Sequence, residues 1–181
     1  MRLPIRKTEK ETERKKKMSV KKMTNFGLLT ALAFILSYLE SILPLQLPVP
    51  GMKLGLANIV VVTALYCWGE KEALALSAIR ILLVSLTFGN MAAMMYSLAG
   101  GMLSLVMMIL IKKTGWLDEI GVSIVGGIFH NVGQILTAMV ILETQQVLYY
   151  LPVLIISGVV TGALIGIAGG ELIKRIKNWT V

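Results

Sequence analysis

Apolar residues gather into six runs divided by short polar or turn-forming breaks: Thr24–Leu43, Gly55–Trp68, Ala73–Phe88, Met91–Ile111, Ile120–Leu142 and Val147–Ala168. Crossing a bilayer core takes about 20 apolar residues in helical form, with about 17 as a lower bound. The first run and the last three meet that length and predict transmembrane helices. The second and third are shorter. A re-entrant hairpin made from them would bury the charged Glu70-Lys71-Glu72 turn in hydrocarbon. Two short or tilted spans, the earlier one extended by Met52 to Leu54, avoid that cost. The pattern therefore predicts an all-α integral membrane protein, a compact bundle of six transmembrane helices.

Composition agrees. Of 181 residues, 56% are hydrophobic and 15% charged, and mean hydropathy is +0.77, too apolar for a water-soluble domain of this length. The net charge of +8 lies mostly in a tail. Arg2, Arg6, Lys7, Lys10, Arg14, Lys15, Lys16, Lys17, Lys21 and Lys22 precede the first run, against Glu9, Glu11 and Glu13. Residues 1–23 thus read as a basic cytoplasmic tail, partly disordered or a surface helix drawn to anionic headgroups, ahead of a membrane domain over 24–181. A nucleic-acid-binding arm would carry interleaved aromatics, which the tail lacks, so no nucleic-acid partner is expected. Nor does the first run read as a cleaved signal, because Thr24 to Ser41 exceeds a signal core and no small-residue cleavage site follows.

Charge also sets the orientation. With the amino terminus inside, the inner segments hold the tail plus Lys71, Lys112, Lys113, Lys174, Arg175 and Lys177, whereas the outer loops hold only Lys53. Both termini are therefore expected in the cytoplasm. Trp68, Trp116 and Trp179 fall at the same inner interface, where amphipathic rings settle. The first outer connection, Pro44 to Gly51, contains three prolines and cannot be helical. It serves either as a simple connector or as a lid over a pocket.

Polar residues inside the runs are the candidate chemistry. A guanidinium at the centre of a membrane helix costs about 2.5 to 3.5 kcal/mol even on lenient scales, so Arg80 calls for a partner or a ligand. Glu40, near the outer end of the first run, is the best protein partner, and a substrate carboxylate or phosphate held in bidentate fashion is the alternative. In the fifth run Gly126, His130, Gln134 and Ala138 recur every four residues with Asn131 beside them, a small and polar stripe on an otherwise apolar helix. That stripe is either an interhelical lock or the wall of a ligand pocket. Asn58 lies inside the second run and Asn90 in a Gly-Asn turn, so both border the same outer region. Gly27 and Ala31, Gly100 and Gly101, and the Gly158, Gly162, Gly166 series offer faces for close helix approach.

Catalytic machinery is not expected. Cys67 and His130 are the sole cysteine and histidine, which excludes intrachain disulfides and Cys- or His-rich metal sites. No GxxxxGK phosphate loop occurs, and Asp118 is the only aspartate, too few for an aspartate-rich magnesium site. No cofactor or metal is expected.

Pro50-Gly-Met-Lys-Leu-Gly-Leu-Ala-Asn58, Ile79-Arg80-Ile-Leu-Leu-Val, Ser97-Leu-Ala-Gly-Gly101, His130-Asn-Val-Gly-Gln134 and the region from Tyr150-Leu-Pro152 to Thr161-Gly162 resemble the Gx transporter family, often labelled heptaprenyl diphosphate synthase component I. The resemblance runs from about Asn25 to Ala168. That family is similar in size and span count to the substrate-binding components of energy-coupling-factor vitamin transporters. The resemblance implies a multi-pass subunit of the bacterial cytoplasmic membrane that binds a small cofactor-like molecule and borrows ATP hydrolysis from separate partners. A small-residue surface on the first helix would dock them; Gly27 and Ala31 supply it here, with glycine where the transporter components favour alanine. The label's alternative is an accessory membrane subunit for isoprenoid diphosphate synthesis. A third reading is a structural membrane protein whose buried polar residues only pair with one another. In the first, Arg80, His130, Asn131 and Gln134 line the site, with Asn58, Asn90 and Glu40 around it and the Pro44–Gly51 segment covering it.

Overall fold

The computed structural model describes residues 5–42 and 55–180, with side chains over 20–42 and 55–178. Six α-helices follow one another: α1 (Ile5–Ile42), α2 (Asn58–Cys67), α3 (Glu70–Thr87), α4 (Met91–Thr114), α5 (Glu119–Ile141) and α6 (Leu151–Thr180), with a 3-10 turn at Gln146–Tyr150 before α6. The described residues contain no strand. Four segments are long and apolar enough to cross a membrane: Val20–Ile42, Met91–Thr114, Glu119–Ile141 and Gln146–Asn178. Exposed Leu82, Leu86, Val140, Ile156, Val160 and Leu164 clothe the outside in the apolar surface that lipid requires. The predicted cover, Pro44–Gly51, and the extension Met52–Leu54 lie outside the described residues.

Local chemistry fixes the helix ends. Asn90 opens α4 by accepting from the Ala93 N–H at 2.7 Å, and Asp118 opens α5 by accepting from Gly121 at 2.8 Å, both standard caps for orphan donors. At the end of α4, Gly115 takes the left-handed conformation, φ 68°, which favours glycine.

The second run departs from expectation. Its helix covers 10 residues, about 15 Å at the usual rise, or roughly half a hydrocarbon core. Gly55 turns the chain at φ +85°, and hydrogen bonds from Asn58 to Gly55 and from Ile59 to Leu56 make a tight entry turn. The helix is enclosed by protein nearly all round, with Val60, Val61, Val62, Thr63, Ala64 and Leu65 all buried. Irregular backbone at membrane depth is tolerated in just such an enclosed place.

Helix α5 packs between α4 and α6 with little side chain in the way. A Cβ at Gly158 would lie 2.8 Å from the Gly127 carbonyl oxygen, and one at Gly133 would lie 2.8 Å from Gly100 Cα. Lipid gives helices little hydrophobic reason to associate, so such backbone contact supplies the attraction through dispersion. Around α2, one core joins Leu29, Val61, Leu65, Leu76, Leu105, Met108, Val122 and Ile165. A second, smaller core joins Tyr96, Ile135, Ala138, Val147 and Leu154. Buried His130 and Gln134 lie on α5 between Val122 of the first core and Ile135 of the second, and buried Glu40, Asn58 and Arg80 lie just past the first core on α1, α2 and α3.

Gly158→Ala should therefore destabilise the fold by about 1–3 kcal/mol, since an inserted methyl must push backbone aside. Gly27→Ala, where nothing lies within 4 Å, should leave stability unchanged or slightly raised. Unfolding of both variants in mixed detergent micelles checks the contrast; equal midpoints would mean that the α5–α6 seam is not tight.

Candidate functional site at mid-depth

Four helices bring their polar residues to one level. Arg80 lies about 15 Å along α3 from its first residue, His130 about 16 Å along α5, and Gly101 about 15 Å along α4. Because α2 and α3 meet at the Trp68-Gly69 turn, Asn58 at the other end of α2 reaches the same depth. The half-length helix thus ends where the arginine sits.

Around that end the contacts are specific. Arg80 is 6% exposed. Its Nη2 donates to Asn58 Oδ1 over a long 3.5 Å, and its Nε has no hydrogen-bond partner among the described residues. Of the ion pairs among those residues, Lys22–Glu72, Lys113–Glu70 and Arg175–Glu171, none includes Arg80. Glu40, its expected partner, accepts from the Gly55 N–H at 2.6 Å and acts on the guanidinium through space as a nearby opposite charge. A small cleft of about 10 Å³, lined by Ser37, Arg80, Ile81, Val84 and Ser97, opens beside the guanidinium. That is room for about one water-sized group.

Glycine makes the site possible. A Cβ on Gly55 would meet Asn58 Nδ2 at 2.9 Å and His130 Nε2 at 3.3 Å, and one on Gly100 would meet His130 Nδ1 at 3.1 Å and Gln134 Cγ at 3.0 Å. The imidazole is therefore held between two glycines, with Gln134 one turn further along α5. On α4, the Cβ position of Gly101 stands 3.9 Å from Arg80 Nη2. Arg80, Asn58, Glu40, His130 and Gln134 are thus brought together around the N-terminal end of α2.

The other proposed members lie elsewhere. Asn131, though buried, donates from Nδ2 to the Leu154 carbonyl at 2.7 Å and ties α5 to α6. Asn90 is exposed and caps α4. Gly27 and Ala31 are exposed on the outer face of α1, away from the polar cluster. Sequence reasoning passed over Ser37, Gly55 and Gly100 as site residues. Ser37 had one available signal: with Leu29, Ala33 and Glu40 it forms a stripe at helical spacing, and all four are buried.

Asn131→Ala should cost about 0.6 kcal/mol, up to about 1.7, as an interhelical hydrogen bond in lipid does. Binding at the Arg80 cluster should be unchanged. Comparing detergent unfolding with ligand retention checks this; loss of binding at full stability would place Asn131 in the pocket.

No curated protein and no solved structure matches the chain. A family model described as heptaprenyl diphosphate synthase component I matches residues 29–172, a stretch that contains every residue of the mid-depth cluster. With most of its length so matched, the chain belongs to the heptaprenyl diphosphate synthase component I family.

Proposed function

We propose that this protein is a membrane substrate-binding subunit for transport of a small, anionic, cofactor-like molecule, energised by separate ATPase partners. One observation carries the reading: a buried arginine, its Nε without a hydrogen-bond partner among the described residues, lines a cleft with Ser37 and Ser97 and reaches Asn58 at the end of a half-length helix. Discontinuous helices whose positive ends point at anionic groups near the midplane are the usual construction of transporter sites. In this reading the chain crosses the bacterial cytoplasmic membrane six times with both ends inside, as its basic residues imply. Helix α2 reaches only part of the way as a helix. Exposed Gly27 and Ala31 on α1 support docking of a coupling partner on that face.

A second reading is favoured by the family's description, which names a component of a heptaprenyl diphosphate synthase. There the chain would be a non-catalytic membrane subunit, with Arg80 holding the diphosphate of an isoprenoid. The only aspartate, Asp118, already serves as the α5 cap, which supports a binding rather than a metal-assisted catalytic role.

Native mass spectrometry of the purified protein separates the two. An anionic small molecule should copurify, and its mass distinguishes a polar cofactor precursor from an isoprenoid diphosphate. Arg80→Ala should weaken retention about 100-fold, the value of two charge-assisted hydrogen bonds, and His130→Ala about 10-fold. If no small molecule is retained and both variants fold and support function like the parent, the pocket reading is wrong.

A further inference from the structure

Glu40 sets a carboxylate beside the N-terminal end of α2. Its carboxylate comes from α1 yet accepts from the Gly55 N–H at 2.6 Å, just before the first turn of α2. Ala57, at the cap position of α2, supplies no side-chain hydrogen bond. A negative charge is favoured at a helix N-terminus, where the backbone donors and the dipole both act on it. Arg80 faces the same end through Asn58 and, while 6% exposed, keeps its Nε without a hydrogen-bond partner among the described residues. His130 stands beside Gly55. This set of donors suits an oxyanion, and in the structure Glu40 provides one.

A second oxyanion cannot join the first, because like charges in a site of low dielectric repel strongly. We propose that Glu40 is an internal stand-in for the oxyanion of the substrate, a carboxylate or phosphate group that must displace it on entry. The inference rests on reading the Arg80 cluster as a ligand site, and it adds the substrate class and a consequence. Because Glu40 belongs to α1, its eviction releases the hold on the outer end of that helix. Ser37, three residues earlier on the same helix, lines the cleft at Arg80, so the released end is also one wall of the pocket. Filling the site and moving α1 are then a single equilibrium, and each must bias the other equally.

The test measures binding of butyrate and of inorganic phosphate, separately, to the full chain in detergent micelles by calorimetry. The better probe tells whether the oxyanion is a carboxylate or a phosphate. Glu40→Gln keeps an acceptor for the Gly55 N–H but removes the competing charge, and should bind that probe about tenfold more tightly than the parent. Glu40→Asp, shorter by one methylene, should fall between them. Adding Arg80→Ala should abolish the gain. Should Glu40→Gln fold only at high concentrations of the probe and not in chloride, that dependence supports the proposal equally, since a ligand that binds only the folded state stabilises it. If it fails to fold in either, Glu40→Asp decides. Parental binding that needs Arg80 but is unchanged or weakened in the Glu40 variants overturns the stand-in and leaves the anion site intact. Absence of binding in every form overturns the anion site itself, and the stand-in with it.

Discussion

Ending a helix halfway through an apolar bundle exposes backbone donors where no water can reach them, and α2 does this at Asn58. Each unmet polar group at that depth would cost several kcal/mol, so the chain must bring partners to the spot. The tight turn from Gly55 supplies some, and Glu40 supplies a carboxylate for the Gly55 N–H. The opposite end is treated in kind. Lys112 reaches across from α4 to donate to the Leu65 carbonyl at 2.6 Å while lying over the Tyr66 ring. A ten-residue helix thus has a negative group at its positive end and a positive group at its negative end, as its dipole favours.

That constraint organises the other helices. Once α2 stops at mid-depth, α3, α4 and α5 must present polar or very small residues at the same level, and they do so with Arg80, Gly100, Gly101 and His130. The apolar cores beside it keep this layer dry and spaced. Glycine backbones let α4 approach α5 closely enough for the imidazole to fill the gap, and a methyl at Gly100 would already crowd it. Helix packing and the polar cluster therefore depend on the same glycines, so substitutions there should disturb both.

Much of this was legible in the sequence, for a physical reason in each case. The long apolar runs and the glycine seam of α6 are local patterns, and α4, α5 and α6 appear where the runs place them, whereas Asn90, read as a site residue, and Asp118 prove to be the caps of α4 and α5. Arg80 and the His130–Gln134 stripe stood out because burial of such groups needs an explanation wherever it occurs. The half-length of α2 was hidden, since an apolar run has the same composition whether its backbone is helical or turning. Gly55 looked like the start of a span, although its positive φ makes it the turn before one. Asn131 shows the remaining ambiguity. One residue from His130 on α5, it points 100° away around the helix and meets α6 instead of the site. Spacing alone could not say which neighbour each face would find.

Placing the charge partners on different helices has consequences for motion. Asn58 belongs to α2, Arg80 to α3, His130 to α5 and Glu40 to α1. Of these helices α1 is the most loosely built in, lying against α2 and α3 while α4, α5 and α6 form a continuous packed layer. One face of it is exposed from Leu28 through Ile35 to Ile42, while the other packs Phe26, Leu29, Leu32, Ala33 and Leu36 on the core around α2 and Phe34 and Tyr38 on Phe88. In the proposed reading, glycine-packed helices on one side and a helix with fewer neighbours on the other would let one wall shift while the donors stay in place. The carboxylate at Gly55 ties that movable wall to the fixed part. A bilayer offers no water to take over a released hydrogen bond, so the tie can be surrendered at low cost only to another acceptor of the same charge.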